Sequence, residues 1–211
     1  MRVRIRVMAL AVSLLGTVLL SGCAPTGTRG SEEQRRDDLV PLVRPLPLVK
    51  MAEPIVIEFD VPPRPKHASP ALFLGFRVAD QGGLRSYEVA DAIRHDPFPA
   101  TVRLERIDDA TPVAIPLLRF EEVGSTPGPH RIVEVSADGS VPGVRHGEVN
   151  YASVEEAGLY GAPSQYVYLQ FAWAPDIAPG RYRLQLQLLN PPVGEAQFNA
   201  ELMVAYARKG K

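Results

Sequence analysis

Cysteine is almost missing from this chain: Cys23 is the only one in 211 residues. That excludes an internal disulfide, and an exposed lone thiol in an oxidising compartment would invite pairing between molecules. Long apolar runs are missing too. The best one, Val7 to Leu20, falls short of the roughly 20 residues a membrane-spanning helix needs. Charge of one sign is not concentrated anywhere, with 23 basic against 24 acidic residues mixed along the chain. Nucleic-acid binding and docking on acidic lipid both need clustered Lys and Arg, so both are excluded on electrostatic grounds. Catalytic signatures are absent as well. Gly124-Ser125-Thr126-Pro127-Gly128 places its serine one position too early for a nucleophile elbow, and there is neither a phosphate-cradling glycine loop nor a His-Glu-x-x-His pair.

What is present begins with Arg2, Arg4 and Arg6 followed by the short apolar run. This is the order of a secretion signal, a basic start and then a hydrophobic region. Leu20-Ser21-Gly22-Cys23 resembles the bacterial lipobox, which implies cleavage before Cys23 and diacylglycerol on its sulfur. A lipid thioether would remove the free thiol, and the several acyl chains, palmitate among them, that such lipoproteins carry would anchor them stably where one chain would not. In that family, Ala24 in place of an aspartate implies delivery to the outer membrane. The expectation is thus a signal peptide over residues 1–22 and a lipid-attachment site at Cys23. The remaining chain has 20 basic and 24 acidic residues, a net charge near −4.

Residues 23–53 read as a tether. The first part, with Gly, Thr, Ser and the charged run Ser31 to Asp38, cannot bury enough apolar surface to offset the entropy of ordering it. The later Val40 to Leu48 stretch carries Pro41, Pro45 and Pro47 between leucines, so it is expected to lie extended along the domain edge.

From residue 54 to 211 a period of two dominates, the mark of half-buried strands. Ile55, Ile57, Phe59 and Val61 share one face; Leu72, Leu74, Phe76 and Val78 share another, with Gly75 opposite them marking a bulge or a close approach. Thr101 to Ile107, Pro112 to Phe120 and Arg131 to Val135 continue the pattern. In "QYVYLQFAW", Val167, Leu169, Phe171 and Trp173 are expected inward and Tyr166, Tyr168 and Gln170 outward. "PGRYRLQLQLL" and "AQFNAELMVAY" complete eight candidate strands. They predict an all-β fold, an antiparallel immunoglobulin-like β-sandwich of about seven to nine strands.

Two stretches depart from the strand rhythm. Ser86 to Arg94 has Val89, Ala90 and Ile93 on one helical face and a stop at Pro97, which predicts one short helix. Ser136 to Ser164 is too long for an ordinary loop in a compact domain; within it Val149 to Gly158 reads as a helical turn or an irregular strand.

The opening strand after a Pro-Leu segment, "ALFLGFRV", "TVRLERI" and "APGRYRLQLQLL" together resemble an uncharacterised group of Gram-negative lipoproteins, over most of residues 45–209. The resemblance implies a β-sandwich and brings no activity, cofactor or catalytic residue.

The four histidines, His67, His95, His130 and His146, sit in loop-like surroundings, where solvated histidine is the ordinary outcome. His130, His146 and Glu148 form the most suggestive metal-ligating set. The adjacent acid pairs Asp108-Asp109, Glu121-Glu122 and Glu155-Glu156 would point apart on a strand. Binding is therefore expected rather than catalysis, with no cofactor, no metal and no nucleic acid. The expected surface comprises Tyr166, Tyr168 and Arg183 on the polar sheet faces and Arg145, Tyr151 and Tyr160 on the long loop, since Tyr and Arg are common interface anchors. The expected function is that of a lipid-anchored, periplasm-facing module binding a protein partner. An immunity protein against a secreted antibacterial effector and an envelope assembly accessory are its two alternatives.

Overall fold

A computed structural model describes residues 37–80, 84–95, 99–122, 130–160, 166–190 and 198–210. Cys23, the segment expected as a signal peptide, residues 23–36 of the expected tether, Pro97, residues 124–128 and the last residues of the long stretch to Ser164 lie outside them. The described residues form two antiparallel sheets. The larger runs in the order β1 (Leu42–Pro47), β12 (Asn199–Arg208), β3 (Ala68–Val78), β10 (Val167–Ala174), β6 (Leu118–Glu122) and β7 (His130–Glu134), and β9 (Arg145–His146) also pairs with β10. The smaller runs β2 (Ile55–Val61), β11 (Gly180–Leu188), β4 (Ala100–Arg106) and β5 (Val113–Ala114), and β8 (Ser140–Val141) also pairs with β4.

The alternating residues of both sheets meet in one core. Phe59, Leu104, Tyr182 and Leu184 from the small sheet and Leu72, Leu74, Phe76 and Tyr206 from the large one are all at most 2% exposed. Each buried aliphatic or aromatic side chain contributes roughly 1.5–3 kcal/mol. The two tyrosines keep their polar ends satisfied: Tyr182 Oη donates to the Ala178 carbonyl (2.8 Å) and Tyr206 Oη to that of Pro62 (2.7 Å).

The sandwich is all-β and antiparallel, as the period-two pattern requires. In an immunoglobulin domain the last two strands are neighbours; here β12 pairs with β3 and β1 while β11 lies in the other sheet. The stretch from Pro112 to Phe120, expected as one strand, divides. β5 pairs with β4 after the Asp108-Asp109 turn, and the chain then crosses through Pro116 to enter the large sheet as β6. The folded unit also starts earlier than residue 54. Val40, Leu42 and Leu46 are 2–3% exposed, and the Pro-Leu segment forms the edge strand β1.

Helix α1 (Ser86–His95) appears where expected, with Val89, Ala90 and Ile93 buried in the core. A second helix, α2 (Tyr151–Glu156), corrects the expectation of a single one. Asn150 caps it: its Oδ1 accepts from the Ser153 backbone N–H at 3.0 Å, and its Nδ2 donates to the His67 carbonyl at 3.1 Å.

α2 exists because the long loop is a cover. The central strands β3, β10 and β12 are buried on both faces over most of their length, so their outer face needs its own layer. Phe73, Met203, Ala205 and Tyr168 point outward and are closed over by Val149 and Val154 in a second, smaller core. The 144–160 segment is sewn to the sheet by Asn150 N–H to the Tyr206 carbonyl (2.8 Å), Gly147 N–H to that of Tyr168 (3.1 Å) and Arg208 N–H to that of Glu148 (3.1 Å).

The other departure from strict alternation lies in β10. Gln170 pairs with Gly75 but Ala172 pairs with Leu74, so β10 carries one extra residue at Phe171. Such a bulge reverses which face the later residues occupy. Phe171 remains in the core, its ring 5.5 Å from that of Phe76, while Trp173 comes opposite Phe73 on the outer face. The inward placement of Trp173 expected from the sequence is therefore overturned, and so is the exposure of Tyr168 and Gln170, which are 3% and 8% exposed. Gly75 faces the bulge, as its position in the pattern suggested. A Cβ there would sit 2.1 Å from the Leu169 carbonyl oxygen.

Candidate functional site

The bulge splits the open edge of β10. β6 meets that edge at Trp173, and β9 meets it at Leu169 and Gln170. Between the two contacts lies a cleft of about 710 Å³. Its floor is Gln170, Phe171 and Trp173; residues 119–122 of β6 form one lip, residues 142–145 the other, and Asp91, Arg94 and His95 of α1 close one end. Aromatic surface lies at the base, where the Phe120 and Trp173 rings are 4.6 Å apart at 40°.

Charge rings this apolar base in matched pairs. Arg145 bonds Glu122 across the two lips. Arg119 meets Glu121 at 2.9 Å, Arg131 donates its Nε to the other oxygen of Glu121 at 2.7 Å, and Arg94 meets Asp91 at 3.0 Å. The Arg131 and Arg119 guanidiniums hold the Glu121 carboxyl below its ordinary range. A general acid needs the opposite shift.

His146 on β9 has its Nε2 3.8 Å from Asp91 Oδ1. Partial desolvation of this half-exposed imidazole, and then the Arg94 cation, hold its pKa below the ordinary value, against the pull of Asp91. A histidine with a depressed folded pKa stabilises the native state above its unfolded pKa of about 6.5 and loses that contribution as the pH falls, because the unfolded chain takes up the proton more readily. His146→Gln is expected to flatten the fall in urea midpoint between pH 7 and pH 5.5. An unchanged slope in the variant would refute the assignment.

The six expected surface residues fall in three places. Arg145 lies on the cleft. Tyr151 and Tyr160 are 41% and 47% exposed, edge to face with ring centroids 6.4 Å apart, on the outside of the cover. Tyr166 lies under the Arg77 guanidinium, 4.0 Å from its ring centroid. Tyr168 is no surface residue. It is packed edge-on between Tyr151 and Phe73, and burial pushes its pKa up to about 12. Arg183 is on the other sheet, held by Glu58 at 2.8 Å.

These tyrosines surround a buried cation. Arg77, 5% exposed, is compensated by Glu201 at 2.7 Å, the Leu159 carbonyl and the Tyr166 face, as a charge taken out of water must be. That set is structural: it fastens the cover to the sheet.

The suggested metal set does not assemble. His130 is on β7, His146 is on β9 beside Asp91, and Glu148 is paired with Arg208 at 3.1 Å. Among the described residues no three His, Cys, Asp or Glu side chains converge on a metal position, and no helix is long and apolar enough to cross a membrane. Sequence reading missed Trp173, Phe120, Arg94 and Arg119. Strict alternation hid the first, and only Gly75 hinted at the bulge. Comparison of this chain with protein-family models, with curated proteins and with solved structures finds no match.

Proposed function

We propose that this chain is a lipid-anchored, periplasm-facing module, held at the outer membrane through Cys23, that recognises a protein partner through the cleft beside β10. The observation that carries the reading is the Phe120–Trp173 pair at the base of a rim of ion-paired arginines. Buried Trp and Arg surrounded by polar, water-excluding contacts are what dominate protein interfaces. The carboxylates of the cleft are engaged by guanidiniums, which suits a fixed recognition surface better than proton transfer. The lipid anchor is supported by the sequence around Cys23.

The test is a pull-down from solubilised envelope with the full-length chain as bait, alongside Trp173→Ala and Cys23→Ala. The wild type is expected to retain a stoichiometric protein. Trp173→Ala should weaken it about 30-fold, as loss of a central anchor worth roughly 2 kcal/mol would. Cys23→Ala should leave the membrane fraction. A toxin-like partner would identify an immunity protein, and an outer-membrane complex an assembly accessory. Equal retention by wild type and Trp173→Ala would remove the cleft from the function.

A further inference from the structure

The large sheet ends at β7, and among the described residues nothing covers that edge. Four of its five residues are exposed, Ile132 at 60%, and Phe120, its cross-strand neighbour on β6, is 39% exposed. The other long edges are guarded. Pro45 and Pro47 remove N–H donors from β1. β2 is bonded near its end to the segment before β1 through Asp38, Val40 and Asp60. An open strand carrying apolar side chains is a template for another strand.

The hydrogen-bond phase of β7 says what that strand can be. The Val135 N–H donates to the Leu117 carbonyl at 2.8 Å, and the register continues as Arg119 with Val133 and Glu121 with Arg131. Bonded and non-bonded pairs alternate in an antiparallel ladder, so Arg131 and Val133 turn their backbone groups toward β6. His130, Ile132 and Glu134 turn theirs to the open edge. These three also share one side-chain face, with Ile132 midway between a donor side chain and a carboxylate.

We propose that β7 pairs antiparallel with β7 of a second copy of this chain, about a two-fold axis at Ile132. In that register Ile132 faces Ile132 of the second copy, His130 faces its Glu134, and Glu134 faces its His130. All three outward N–H groups on each copy then find carbonyls, making about six backbone bonds, whereas centring the axis on Arg131 or Val133 makes about four and leaves Ile132 opposite a polar residue. The pattern is self-complementary, as a two-fold interface must be. It joins two large sheets into one, with Phe120 and Ile132 of each copy forming a continuous apolar strip at the seam. The proposal stands independently of any partner in the cleft.

The test uses cross-linking of the full-length chain extracted in mild detergent. Facing residues of a bonded antiparallel pair have Cα atoms about 5.5 Å apart, within disulfide reach. Ile132→Cys is expected to give a covalent dimer on mild oxidation at least tenfold more abundant than Val113→Cys, a comparably exposed strand position on the small sheet. Ile132→Pro, which removes an outward N–H and no ladder bond, should sediment as a monomer where the wild type sediments as a dimer, with an unchanged circular dichroism spectrum. Cross-linking of Ile132→Cys no greater than that of Val113→Cys, or a wild type that stays monomeric at 100 μM, would overturn the proposal.

Discussion

Gly75→Ala is expected to destabilise the fold by about 3 kcal/mol and to lower the melting temperature by roughly 6–12 °C. The added methyl would lie 2.1 Å from the Leu169 carbonyl oxygen, 2.8 Å from Phe73 Cζ and 2.9 Å from Gln170 Cα. Two of these three are backbone atoms of the bulged strand and can move only by deforming it. The clash is thus not relieved by a rotamer change, and it falls where β10 is held between β3 and the cleft. Trp173, the only tryptophan, should report the disturbance as a shifted emission. Gly158→Ala supplies the comparison. Its φ is +69° but nothing lies within 4 Å of a Cβ there, so the expected loss is only about 1 kcal/mol, from backbone strain. Thermal unfolding of the two variants side by side would decide the point: if Gly75→Ala melts no lower than Gly158→Ala, the close approach at the bulge does not control stability.

Phe73→Ala is expected to cost about 3–5 kcal/mol, the usual toll for emptying a buried aromatic site. Phe73 is fully buried in the outer core, edge-on to Tyr168 with ring centroids 6.3 Å apart. Both Gly75 and Gly147 are packed so closely against its ring that a Cβ on either would fall 2.7–2.8 Å from it. Removing the ring should therefore loosen the cover before the sandwich. Hydrogen exchange would show this as lost protection at Gly147 and Asn150, whose amides bond to the Tyr168 and Tyr206 carbonyls, while the β11–β4 ladder stays protected. Uniform loss across both sheets would mean that the outer core is not a separate cooperative layer.

Much of the architecture was legible from alternation alone, because strands with one wet face write their burial into the sequence. The β11 run from Tyr182 to Leu188 and helix α1 with Val89, Ala90 and Ile93 are the clearest cases. Reading stopped where a strand is covered on both faces. Tyr168 and Gln170 are polar and so look outward, yet the 144–160 segment closes over them, and that contact joins residues far apart in the chain. The cleft was hidden for a related reason. A single extra residue at Phe171 moved Trp173 to the other face, and nothing within β10 announces it. Of the candidate site, only Arg145 was picked out, as a residue type on a long loop rather than as a partner of Glu122.

The way the chain enters the sandwich has a mechanical consequence. β1 and β7 are the two ends of the large sheet, five strand spacings or about 24 Å apart. Any force between the chain's N-terminal side and a load held at the β7 end thus runs across the strands, the direction in which ladder bonds open one at a time. The segment before β1 is fastened first to the other sheet: the Val40 N–H bonds the Asp60 carbonyl at 3.0 Å, the Asp60 N–H bonds the Asp38 carbonyl at 2.7 Å, and Arg44 reaches back to Asp38 at 3.3 Å. Tension arriving from that side meets this stitch before it meets β1, so the two sheets share the strain and the edge strand is not peeled alone.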